Sequence, residues 1–406
     1  MNFETISLIV FVALLIIFVV LKRKDIHTEK ILFPIFYLLL YRTKTGIRQM
    51  NSLAAKHPKT LRVLGFIGIV VGFAGMAFLC VTLIYHLFNF FITPSAPALA
   101  LVLPFKLKGA FYIPFFYWII SIIILAFIHE FSHGVMAVLA KVRIKSSGFA
   151  FMSILLPIIP AAFVEPDEKQ LAKKKRSEQL AVMAAGPFSN ILLGFILLGL
   201  MFIFSFPITN SMYDFRGAEI VDFMNINNVT SPLELAGLHK GDVITTVNGV
   251  PVNHVKDLSE LLKNMTPGQK TALTTQNATY DLVLAANPTN SSKTYLGIYI
   301  NQNFQEKPKF MYGLANIFAK IVSWINGKWI SKDMPAESGL ISWLMLLNIG
   351  IGLFNLIPIG PIDGGKMLFL ALTRFFEKKK ALKIFGAISS LFLLIILFNL
   401  IAGFIF

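Results

Sequence analysis

The sequence predicts a polytopic α-helical membrane protein of about six transmembrane helices, with a re-entrant hairpin and one inserted extracytoplasmic α/β domain. Three observations predict it. The 406 residues are 56% hydrophobic and 14% charged, with a mean hydropathy of +0.70, a composition of multi-spanning membrane proteins. Apolar runs near the roughly 20-residue bilayer length recur at 5–21, 63–93, 111–140, 179–206, 338–373 and 384–406. Basic residues gather at 22–62, 141–178 and 374–383, which together account for the whole net charge of +16.

Each basic stretch abuts an apolar run, which is the pattern of cytoplasmic loops. No basic patch is interleaved with aromatics for base stacking, so nucleic acid is excluded as a partner. The single cysteine, Cys80, permits neither an internal disulfide nor a thiolate cluster, so any metal must use nitrogen and oxygen ligands.

The run at 5–21 follows Glu4, precedes the basic Lys22, Arg23 and Lys24, and lacks a small-residue cleavage site. It reads as a retained anchor with its N-terminus outside. Counting crossings from there puts all three basic stretches in the cytoplasm. Residues 148–164 are apolar, contain Pro157 and Pro160, and lie between cytoplasmic charges. They read as a segment that dips into the membrane and returns, lining an internal cavity where its backbone can be satisfied.

Residues 207–305 are rich in Asn, Thr and Asp and hold no helical apolar run, so they read as an external soluble domain. Within it, Asn248-Gly249 marks a hairpin turn and 255–264 has the period of an amphipathic helix. All four Asn-x-Ser/Thr sequons, at Asn228, Asn264, Asn277 and Asn290, fall here, in agreement with an external location. Residues 310–326 are amphipathic and are expected along the external membrane surface. The chain thus divides at 1–110, 111–206, 207–305, 306–337 and 338–406.

Titratable groups inside a span are costly and usually functional. The span at 111–140 holds His129, Glu130 and His133, the pattern His-Glu-x-x-His. Histidines four apart share a helix face and can ligate one ion, with the glutamate beside it as general base. A catalytic zinc takes three protein ligands and keeps a place for water. Asp363 is the only acidic residue of 338–373. His129, His133 and Asp363 lie 12 and 8 residues before Lys141 and 11 before Arg374, hence about 12–18 Å from the cytoplasmic face at 1.5 Å per residue. Asp363 admits two readings, an Asp-Gly turn at a helix break or the third ligand, and the matched depth favours the ligand. One Zn²⁺, Asp363 and ionised Glu130 make a neutral cluster, which suits a low dielectric.

These motifs, followed by Asn355-x-x-Pro358 and Asp363-Gly364 with a PDZ-like domain between, resemble the site-2 protease family of intramembrane zinc metalloproteases over about 111–376. The resemblance implies that His129, His133 and Asp363 hold zinc and that Glu130 is the catalytic base. It also implies that Gly186, Pro187 and Asn190 of the Gly-Pro-Phe-Ser-Asn motif, together with Asn355, Pro358 and Gly364, lie at the active site. The segment around Glu165 would close a membrane-embedded hairpin. The aspartate motif has one residue more between Pro358 and Pro361 than is commonest.

The implied activity is hydrolysis of peptide bonds within transmembrane segments of membrane proteins, already cut outside by another protease. The protein would be a multi-pass cell-membrane enzyme amid membrane lipids, with the active site nearer the cytoplasmic face. Asn190 has two readings: a hydrogen-bond donor to the oxyanion, or an amide tying helices together. The alternative to a protease is a catalytically silent PDZ-bearing scaffold with a structural metal site, which would be favoured if any of the four central residues were missing. A transporter predicts inverted repeats, and the two halves do not correspond.

Overall fold

The computed structural model describes residues 3–32, 36–92, 99–154, 156–224, 230–288, 290–306 and 339–405. The amphipathic segment at 310–326 lies outside them. The described residues form two compact units, one within Met1–Met201 and Pro335–Phe406, the other within Phe202–Trp324.

The first unit begins with helix α1 (Phe3–Lys22), then strands β1 (Ile26–Leu32) and β2 (Phe36–Thr43), helix α2 (Ile47–Lys56) and the long α3 (Pro58–Ile92). Short strands β3 (Leu101–Leu103) and β4 (Ala110–Tyr112) pair in parallel ahead of α4 (Phe115–Leu139). Strands β5 (Ile144–Ile154) and β6 (Leu156–Pro166), the one-turn α5 (Glu168–Leu171) and α6 (Arg176–Met212) follow. The expected segment at 148–164 is therefore the middle of a longer β-hairpin. It is joined in an antiparallel sheet of order β1-β2-β5-β6 by two strands that fall inside the basic stretch 22–62.

The second unit contains β7 (Tyr213–Phe223), α7 (Pro232–Leu235), β8 (Val243–Val247), β9 (Val250–Pro251), α8 (Val255–Lys263), β10 (Lys270–Thr275), β11 (Thr279–Val283), β12 (Ala285–Asn287), β13 (Asn290–Tyr295) and β14 (Ile298–Glu306). Its main sheet is antiparallel, of order β11-β10-β8-β7-β14, with β9 on β8. Asn248 and Gly249 both take positive φ, the left-handed pair that a two-residue hairpin requires. Ile220, Leu233, Ile244, Leu258 and Leu273 are fully buried and form the core of this unit.

The first unit resumes with α9 (Leu340–Phe354), α10 (Asp363–Leu372) and α11 (Lys378–Ile405). Among the described residues, five helices are long and apolar enough to cross a membrane: Glu4–Lys22, Pro58–Ile92, Phe115–Leu139, Arg176–Met201 and Lys378–Phe404. The sixth expected span, 338–373, is instead the 15-residue α9 and the 10-residue α10, parted at 355–362. Pro358 and Pro361 lack the N–H that a continuous helix needs, which places the break there.

Helices in an apolar medium gain little by burying apolar surface, so close approach over small residues drives their packing. Helix α3 supplies that surface with Gly65, Gly68, Gly72 and Gly75. A Cβ on Gly65 would meet Met136 at 2.5 Å, on Gly72 Met367 at 2.7 Å, and on Gly75 Leu356 at 2.7 Å. These contacts tie α4, α10 and the break at 355–362 to one helix.

Candidate metal centre

The i, i+4 spacing on α4 places His129 and His133 on one face, with their Nε2 atoms 3.1 Å apart. The Nδ1 of His133 donates to the carbonyl of Val182 on α6 at 2.6 Å, which leaves its Nε2 with a lone pair toward the centre. The Nδ1 of His129 faces the side-chain nitrogen of Asn190, also on α6, at 3.2 Å. Gly186 lets α6 come this close: a Cβ there would stand 2.5 Å from His129 Nε2 and collide with His133 as well.

Asp363 is the first residue of α10, and its Oδ2 lies 3.1 Å from His129 Nε2 and 3.2 Å from His133 Nε2. Two spans far apart in sequence thus meet at three atoms. The approach depends on Gly364, where a Cβ would run into the backbone of Leu356 and be 2.5 Å from the Ile357 carbonyl. Gly364 N–H instead donates to the Asn355 carbonyl at 2.8 Å, which stitches α10 back onto the break. Lys366, one turn on, brings Nζ to 3.5 Å from Asp363 Oδ1.

The three atoms form a near-equilateral triangle of nitrogen and oxygen donors. Three converging nitrogen and oxygen donors match the number and type of protein ligands that a catalytic zinc takes, with a place kept for water. His129 and Asp363 are buried, and among the described residues no thiolate is nearby to compete. This donor set fits Zn²⁺.

Glu130 offers a carboxylate oxygen within 4.8 Å of the ligand atoms of both histidines. Its Oε2 accepts the Val164 backbone N–H of β6 at 3.0 Å. That N–H therefore points away from β5, and because backbone groups of alternate strand residues share a side, those of Ala162 and Pro160 face the same way. The Asp167 N–H, of opposite parity, donates to the Arg143 carbonyl on the β5 side at 2.8 Å. A cavity of about 740 Å³ opens here, lined by His129, Glu130, His133, Asp363, Asn355 and Lys366 among others.

The other residues singled out from the sequence divide by position. Asn355 lines the cavity; its amide donates to the Ile351 carbonyl at 3.1 Å. Pro187, Pro358 and Gly364 do not line it and act on backbone path: Pro358 is buried in the break, and the Pro187 carbonyl lies where Gly352 lets α9 approach α6. Asn190 is wholly buried beside His129 Nδ1 and is not among the residues that line the cavity.

Sequence reasoning missed three contributors. Lys366 was detectable as the residue one turn after Asp363. The Val164 N–H and the Val182 carbonyl carry no side-chain signature at all.

A bundle of apolar helices around a buried histidine, a half-buried one and a buried carboxylate, with a second carboxylate beside them on an open cavity, defines a membrane protein with a metallopeptidase-like centre. Residues 117–398 match the model of peptidase family M50, and the chain belongs to that family. It is 27% identical over 376 residues to an uncharacterized protein of Methanocaldococcus jannaschii, covering 90% of this chain and 85% of that one. It is 29% identical over 242 residues to the zinc metalloprotease RasP of Shouchella clausii, covering 52% of this chain and 54% of that one. The match therefore spans about half the length of RasP. A putative zinc metalloprotease of Clostridium acetobutylicum is 24% identical over 316 residues, 66% of this chain and 89% of the relative.

Proposed function

We propose that this chain is an intramembrane zinc metalloprotease that hydrolyses peptide bonds within transmembrane segments of other membrane proteins. The observation that carries this reading is the meeting of His129 Nε2, His133 Nε2 and Asp363 Oδ2 within 3.2 Å of one another, with Glu130 alongside. Those three residues would hold one zinc ion per chain. Zinc, when bound, supplies a Lewis acid that acidifies water and polarises a carbonyl.

The chain's residues do the rest. Glu130 takes the proton of the attacking water and returns it to the leaving amine, as a positioned carboxylate can. The Val164 N–H holds one carboxylate oxygen of Glu130 and so leaves Oε1 as the proton acceptor. Asn355, on the cavity wall, donates to developing charge on a substrate carbonyl in this reading.

A helical substrate has every carbonyl bonded internally and must unwind before attack. The outward edge of β6 suits an unwound strand, because main-chain pairing to a sheet edge recognises backbone without regard to side chain. On that edge Val164 is engaged by Glu130 and Pro160 has no N–H, so Ala162 is the residue between them whose N–H faces the same way. In this reading the β5–β6 hairpin enters the membrane from the cytoplasmic side.

The second unit, read as PDZ-like and extracytoplasmic, excludes substrates with bulky external domains, so that partners are membrane proteins already shortened by another protease. The N-terminus lies outside with it, membrane lipids surround the helices, and the active site is nearer the cytoplasmic face. Support comes from the matched depth of the site residues, the basic stretches and the sequons. The test is incubation of the purified protein with single-span substrates, followed by mass spectrometry of the products. Cuts within the apolar segment that cease on chelation and resume with added zinc are expected; cuts only in flanking polar residues would contradict the reading.

A further inference from the structure

Asn190 is fully buried on α6, yet its Oδ1 has no hydrogen-bond partner among the described residues, while its Nδ2 faces His129 Nδ1 at 3.2 Å. Buried polar atoms are nearly always paired, so this orphan needs an explanation. The side chain is not loose: Gly352 on α9 brings the neighbouring backbone so close that a Cβ there would lie 3.2 Å from Asn190 Cβ.

A neutral imidazole carries one proton, and its two nitrogens then play opposite roles. With Asn190 donating to Nδ1, the His129 proton sits on Nε2, where it faces Asp363 Oδ2 at 3.1 Å. Ligation through Nε2 demands the lone pair there and moves the proton to Nδ1, which would then confront the N–H of Asn190. Turning the amide by half a rotation places Oδ1 against the Nδ1–H, with almost no change of shape. The amide nitrogen then takes the place of the orphan, and on this chain Asn348, Asn355 and Asn399 each donate such a nitrogen to the carbonyl four residues earlier.

We propose that Asn190 is a positioning residue for the metal centre: its Oδ1 accepts the His129 Nδ1–H when Nε2 is a ligand, which fixes the tautomer that ligation needs. This gives His129 the counterpart of what the Val182 carbonyl gives His133. The inference rests on the zinc reading above.

The experiment measures zinc affinity of the purified full-length protein by competition with a chromophoric chelator, for wild type, Asn190→Ala and Asn190→Asp. A carboxylate accepts only, so Asn190→Asp is expected to hold zinc within about threefold of wild type. Asn190→Ala is expected to lose about 10- to 100-fold, the usual effect of removing the group behind a metal-ligating histidine. Asn190→Leu, which fills the space, should fall with Ala, and metal-free melting temperatures report whether each variant folds. The visible bands of the cobalt-loaded protein should shift in Ala and Leu and stay near wild type in Asp. Equal affinity in Ala and wild type, or an Asp variant as weak as Ala with its fold intact, would overturn the proposal. A wild type that binds no zinc would instead remove the metal reading on which it stands.

Discussion

The Glu130 carboxylate and the Val164 backbone are joined: Oε2 accepts the Val164 N–H at 3.0 Å, across 34 residues of chain. The residue proposed as general base is thereby referenced to the edge strand proposed to hold the substrate. Because this N–H points away from β5, removing it does not cost the β5–β6 ladder a bond. Val164→Pro should leave zinc content at wild-type level and lower cleavage by about 10- to 100-fold, a fraction of what a positioned base contributes. Cleavage and metal content measured on one preparation check it.

Ala162→Pro tests the strand-pairing idea at the neighbouring N–H, which faces the same way. Here the carboxylate bond at Val164 stays, so the base is unperturbed. The expected outcome is a loss of about tenfold or more in cleavage of helical substrates, with much less loss for a short extended peptide that can bind without edge pairing. Equal loss for both kinds of substrate would count against strand pairing.

Gly186→Ala is expected to be severe in a specific way. The added methyl would stand 2.5 Å from His129 Nε2, and no small shift of a rigid imidazole relieves that. Zinc affinity should drop by more than about tenfold while the β-sheet signal in circular dichroism is kept. Gly199→Ala on the same helix, where a Cβ meets nothing within 4 Å, should be silent and serves as the control.

Lys366→Met should do little by comparison. The ammonium approaches Asp363 Oδ1 at 3.5 Å, but the lysine side chain is 54% exposed, and exposed ion pairs are worth about 0–1 kcal/mol. Zinc affinity within about fivefold of wild type, measured by the same chelator competition, is the expected result.

Much of this organisation could be read from sequence because membrane insertion and helical period are local properties. His129 and His133 declared themselves by a four-residue spacing inside an apolar run, and Asp363 by its depth in another; the structure sets their ligand atoms within 3.2 Å. What escaped was non-local. Strands β1 and β2 lie in a basic stretch that reads as a loop, and it is the pairing of β2 with β5, more than 100 residues on, and of β1 with β2 that makes them strands. The break within 338–373 was legible in Pro358, Pro361 and the glycines, whereas the close approach of Gly364 to the Leu356 backbone was not. The bond from Val164 to Glu130 belongs to the backbone and leaves no trace in residue type.

The most direct measurement of the central claim compares wild type with Glu130→Gln for both zinc content and cleavage of single-span substrates. The proposed division of labour, with His129, His133 and Asp363 holding the ion and Glu130 moving the proton, predicts about one zinc per chain in both proteins. It predicts cleavage lower by about 10²- to 10⁴-fold in the variant. A Glu130→Gln protein that cuts as fast as wild type, or that loses its zinc, would contradict that division.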